Sequence, residues 1–83
     1  MKIIGISIFD RVKEAGLTQK VLSRYGNIIQ LRLGLHEVSM DVCSRHGIIL
    51  LKIRNNDKMA IENMMSELSQ IGGIEIKHMD FSL

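Results

Sequence analysis

From Gly34 to Gly47 the chain reads Gly-Leu-His-Glu-Val-Ser-Met-Asp-Val-Cys-Ser-Arg-His-Gly. This stretch holds the single cysteine, Cys43, and two of the three histidines, His36 and His46. Two carboxylates, Glu37 and Asp41, lie among them. Neutral imidazole and thiolate are ligands for zinc, nickel or copper. Cys43 and His46 are three positions apart, close enough to share one ion. His36 would be a third ligand, and Asp41 or Glu37 would complete the shell. The pattern admits a transition-metal site, zinc or nickel, at His36, Cys43 and His46. The competing expectation is that Cys43 is a small buried hydrophobe and that the histidines cap strand ends. A lone Cys-x-x-His pair is common enough to fit either.

The same residues admit two other chemistries. Cys43 beside His46 or His36 would form a thiolate–imidazolium pair, with Arg45 lowering the thiol pKa. That is the alternative reading, a cysteine-dependent enzyme. It lacks an oxyanion-hole motif, and no phosphate-cradling glycine-rich loop follows the first strand. Arg32, His36, Glu37, Asp41 and Arg45 together form a polar set suited to a small effector. Arg32 either clamps an anionic ligand at a subunit interface or pairs with Glu37 or Asp41.

These residues must be positioned by the elements around them. Ile3 to Phe9 alternates as a strand, with Ile4, Ile6 and Ile8 on one face. Asp10 is a candidate N-cap for a helix to about Arg24, whose stripe is Val12, Ala15, Leu22 and Tyr25. Gly16 weakens that helix, so a shorter one capped by Thr18 is the other option; Gly26 would stop either. Asn27 to His36 is a second strand. Its alternation places Ile29, Leu31, Leu33 and Leu35 on one face, and Gln30, Arg32, Gly34 and His36 on the other. Ile48 to Arg54 is a third, with Ile49, Leu51 and Ile53 opposite Ile48, Leu50 and Lys52. Asn55-Asn56 makes a turn, and Asp57 caps a helix from Lys58 to about Ile71. Its stripe is Ile61, Met64, Met65, Leu68 and Ile71. Gly72-Gly73 ends it, and Ile74 to about Phe81 is the last strand.

The order β-α-β-β-α-β predicts an α+β, ferredoxin-like domain over residues 1–83: a four-stranded antiparallel sheet with both helices on one face. The bare face would carry Gly5, Ser7, Phe9, Gln30, Arg32, His36, Ile48, Leu50 and Lys52. It is half apolar, which in so short a chain predicts a homo-oligomer, a dimer or tetramer.

Composition narrows the function classes. A net charge of +2 with scattered Lys and Arg argues against a direct nucleic-acid binder. Three aromatic residues, Phe9, Tyr25 and Phe81, make no stacking platform for RNA. No apolar run reaches the ~18 residues of a membrane span, and the N-terminus lacks a small-residue cleavage site. One cysteine suits a reducing, cytoplasmic setting.

Tyr25-Gly26-Asn27-Ile28-Ile29-Gln30-Leu31-Arg32-Leu33-Gly34-Leu35 resembles a signature of the iron-only hydrogenase system regulators. There a Tyr-Gly-Asp ends the first helix and an Arg-Met-Gly closes the second strand, so Asn27 and Leu33 stand for Asp and Met. Gly47-Ile48-Ile49-Leu50-Leu51 resembles the start of that family's third strand. Ile71-Gly72-Gly73-Ile74-Glu75-Ile76-Lys77 resembles its turn into the last. The family is similar to the ligand-binding domain of the nickel-responsive repressor and to ACT regulatory domains. The resemblance implies a ferredoxin-like, ACT-like regulator that oligomerises and senses a small effector or metal. This chain departs from it at His36, where the family has proline, and in a longer Glu37–His46 loop. The leading expectation is therefore a small homo-oligomeric ligand-sensing module with its site between strands two and three. A purely structural assembly unit is the third reading.

Overall fold

The computed structural model describes residues 1–9, 11–35, 46–54 and 57–82, with the backbone alone for 11–15. Its elements are β1 (Lys2–Ile8), α1 (Arg11–Arg24), β2 (Ile29–Leu35), β3 (Gly47–Ile53), α2 (Lys58–Ser69) and β4 (Ile74–Asp80). The expected α+β order is therefore present. The strands form one sheet in the order β2-β3-β1-β4, each antiparallel to its neighbour. β1 and β2 thus run parallel with β3 between them, a connection that needs a crossover, and α1 supplies it. Asp10 and the Asn55-Asn56 turn lie outside the described residues.

The β1 alternation decides where the core forms. Ile4, Ile6 and Ile8 are buried on the helix side, while Ile3, Gly5 and Ser7 point to the other face. Leu51 and Ile53 of β3 join them, and Ile61, Met64 and Leu68 of α2 close over the top. Each such aliphatic side chain contributes about 1.5–3 kcal/mol by leaving water. Met65 and Ile71 flank this cluster, part-buried, completing the expected α2 stripe.

α1 keeps Leu22 and Tyr25 of its expected stripe against the core, and the side chains of Val12 and Ala15 lie outside the described residues. It runs unbroken through Gly16, and Thr18 lies inside it, fully buried, with Val21 and Leu22. A shorter helix capped by Thr18 is therefore not what forms. Leu17, the neighbour of Thr18, is exposed.

The ends of α2 follow from local chemistry. Asp57 takes an extended backbone, and its carboxylate accepts a hydrogen bond from the Ala60 amide at 3.0 Å. That satisfies one of the amides a helix start leaves unpaired. Beyond the other end, Gly73 adopts φ 79°, a left-handed value that favours glycine. Its carbonyl accepts from the Phe9 amide at 2.9 Å, tying the entry of β4 to the exit of β1.

β2 holds the main departure from simple alternation. Ile29 pairs with Ile53, but Leu31 pairs with Lys52, so Gln30 is an extra residue with no partner across the ladder. This is a bulge, and it shifts the side-chain parity of everything after it. Arg32 and Gly34 lie opposite Leu51 and Ile49, on the helix side. Leu31, Leu33 and Leu35 lie opposite Lys52, Leu50 and Ile48, on the bare face. Strict alternation placed Arg32 on the bare face, and the bulge reverses that. Ile29, before the bulge, keeps the helix side and packs against the core.

Candidate functional site

The face left uncovered by the helices presents the largest group of unexplained side chains. Facing strand partners share a face, so its layout follows from the register. β2 supplies Leu31, Leu33 and Leu35, and β3 supplies Ile48, Leu50 and Lys52. β1 supplies Ile3, Gly5 and Ser7, and β4 supplies Glu75, Lys77 and Met79. Phe9 and Phe81 extend it beyond the strand ends. Leu31 is 62% exposed and Leu33 54%, with Leu35, Ile48, Leu50, Met79, Phe9 and Phe81 exposed beside them. Gly5 leaves a shallow gap at the centre, where a Cβ would sit 3.7 Å from the Leu50 side chain. Exposed apolar patches of this extent are uncommon on monomeric proteins.

The predicted site residues divide by position. His46 sits just before β3, and its ring meets Phe9 edge-on, with centroids 6.3 Å apart and planes at 78°. His46 therefore stands at one end of the bare face, beside the first residue of β3. His36, Glu37, Asp41, Cys43 and Arg45 lie outside the described residues. Leu35 and His46, the described residues bordering that stretch, are at the same end of the sheet. Among the described residues, no group of three or more His, Cys, Asp and Glu could hold a metal ion.

Arg32 is exposed on the helix side and donates from its guanidinium to the Gln19 side-chain carbonyl on α1. That bond ties the outer strand to the first helix. Its expected partners, Glu37 and Asp41, lie outside the described residues.

Two smaller polar groups have structural roles. The Tyr25 hydroxyl donates to Glu67, and Arg24 reaches the same carboxylate at 2.7 Å, so α1 and α2 are joined at one end. The bond to Glu67, with some desolvation, raises the Tyr25 pKa above its ordinary value. At the far end of β4, Asp80 is 3.4 Å from Lys2 and 3.2 Å from His78 Nδ1. Asp80 and His78 are exposed and Lys2 is part-buried, and the two Asp80 contacts contribute little, ~1 kcal/mol or less each.

The bare-face residues that strict alternation misses are Leu31, Leu33 and Leu35. Their period of two is plain in the sequence. The side they face depends on one unpaired residue, and Gln30 carries no signal that distinguishes it from any other strand residue.

This is the ferredoxin-like α+β fold. Among solved structures it is similar to the uncharacterized protein TM1266 from Thermotoga maritima, with a TM-score of 0.78 and 25% identity. That match covers 98% of this chain and 95% of the other. It is also similar to two de novo designed proteins. Ferredog-Diesel has a TM-score of 0.55 at 15% identity, covering 95% of this chain and 83% of the design. Foldit4 has a TM-score of 0.52 at 16% identity, covering 98% and 96%. No protein-family model and no curated protein matches the chain. Among the described residues, no helix is long and apolar enough to cross a membrane.

Proposed function

We propose that this chain is a small, self-associating sensory module, in which a second copy covers the bare face of the sheet. The observation that carries the reading is the apolar content of that face. Its eight exposed apolar side chains present roughly 750 Å², close to the ~800 Å² that each partner contributes to a stable interface.

Other occupants fit less well. A flat sheet is not the concave pocket that encloses a small molecule. Lys52 and Lys77 are too few, and two phenyl rings at opposite ends too far apart, for a nucleic-acid platform. A second copy of the same chain brings matching aliphatic surface.

The sensory half of the proposal rests on the residues between β2 and β3. Association through the bare face would bring the His46 ends of the sheet to the rim of the interface. There His36, Cys43 and His46 would hold a zinc or nickel ion, or Arg45 and its neighbours a small effector. The single cysteine supports a reducing, cytoplasmic setting. The resemblance to hydrogenase-system regulators supports the same class of role, acting on a partner protein rather than on DNA.

Sedimentation velocity between ~1 and ~200 µM chain tests the assembly. The proposal expects the mass of one chain to give way to that of two or four. A single-chain mass throughout that range overturns it.

A further inference from the structure

The bare face is not uniform, and its unevenness selects how two copies meet. This inference rests on the self-association proposed above and adds its location. The β2–β3 half carries Leu31, Leu33, Leu35, Ile48 and Leu50 as one block, continued by Phe9. The β1–β4 half carries Ser7, Glu75 and Lys77, with a separate apolar corner at Ile3, Met79 and Phe81. Lys52, opposite Leu31 on one side and Ile3 on the other, closes the β2–β3 block at its far end.

A two-fold dimer places each position of the face against its mirror position across the axis, which lies in the interface plane. An axis between β3 and β1, parallel to the strands, would set Leu33 of one copy against Lys77 of the other. It would also set Leu35 against Glu75. Both charges would lose water to an aliphatic surface with no partner in return. An axis shifted to lie between β2 and β3 sets Leu33 against Leu50, Leu35 against Ile48 and, at the strand end, the single charge Lys52 against Leu31, where a lysine's long stem covers apolar surface while its ammonium reaches water. Glu75 and Lys77 then stay in solvent. Packed sheets cross at about −30°, so the correspondence is approximate at the ends of the strands.

We infer that two copies join through the β2–β3 half of the bare face, leucine row against leucine row, with β4 left wet. The block exposes roughly 550 Å² per copy, a total just past the ~1,000 Å² that separates a specific interface from a casual contact. Such a dimer is concentration-dependent and sensitive to single substitutions at its centre. The Gln30 bulge is what creates it. Were Gln30 paired opposite Lys52 in regular alternation, the three leucines would turn to the helix side.

The test compares charges placed at the two halves. Leu33→Asp and Met79→Asp change exposed side chains on the same face, and far-UV circular dichroism checks that each variant folds. If Leu33→Asp does not fold, Leu31→Lys, at the most exposed of the three leucines, replaces it. Sedimentation equilibrium is expected to show association weakened at least ~30-fold by the β2 variant and less than ~3-fold by Met79→Asp. Equal losses, or a loss confined to Met79→Asp, overturn the inference while leaving self-association standing. A wild type that stays monomeric overturns the association itself, and this inference with it.

Discussion

Leu33 of β2 and Leu50 of β3 face each other across the ladder on the side of the sheet that α1 and α2 leave uncovered. Leu50 is followed by Leu51, which points the opposite way and is fully buried under the helices. Two identical neighbours therefore serve different ends. Leu51→Ala is expected to cost about 2–5 kcal/mol in urea unfolding, because it opens a cavity in the core. Leu50→Ala is expected to cost under ~1 kcal/mol in dilute solution while weakening association. Unfolding midpoints at low chain concentration separate the two. Equal costs would contradict the assignment of faces.

Gly16 lies within α1, exposed, with nothing within 4 Å of the position a Cβ would take. It is therefore a glycine in a helix with no packing reason to be one. Gly16→Ala is expected to raise stability by about 0.5–1 kcal/mol, by reducing the freedom of the unfolded chain and improving helix propensity. Thermal unfolding would show a higher midpoint.

The Tyr25–Glu67 bond couples stability to alkaline pH. Tyr25 is the single tyrosine, so its phenolate absorbance reads this site alone. Its folded pKa is raised, first by the hydrogen bond to Glu67 and then by desolvation. A raised folded value means the stabilising contribution is complete below the unfolded pKa of about 10 and is lost as pH rises through the folded one. Tyr25→Phe is expected to flatten the loss of stability above about pH 10. Glu67→Gln is expected to return the phenol titration toward its ordinary value. An unchanged titration curve in Glu67→Gln would remove this coupling.

Much of the fold was legible because local signals agreed with one another. Ile4, Ile6 and Ile8 alternate, the α2 stripe repeats at helical spacing, and Asp57 and Gly73 mark turns with residues suited to them. The β2 faces were not legible. Their pattern gives a period but no phase, and the phase is reset by the unpaired Gln30. α1 was half legible, since a buried Thr18 replaces the apolar residue a stripe would call for. Of the site, the position of His46 at the mouth of β3 follows directly from where the strand begins. The Arg32–Gln19 bond does not, because it joins an outer strand to a helix through two long polar side chains.

Metal addition tests the residues between the central strands. Zinc or nickel is expected to bind at about one ion per chain, and Cys43→Ala and His46→Ala are each expected to weaken it by ~10-fold or more. Elemental analysis and calorimetric titration report both. No bound ion, together with rapid alkylation of Cys43 at neutral pH, would favour a reactive thiol in its place.

The most direct measurement is an isotope-filtered methyl NMR experiment on a mixture of labelled and unlabelled chains. The account predicts contacts between copies from the methyl groups of Leu31, Leu33 and Leu50, and none from Ile4 or Ile6. Concentrated samples in which those leucine methyls show contacts only within their own chain would contradict it.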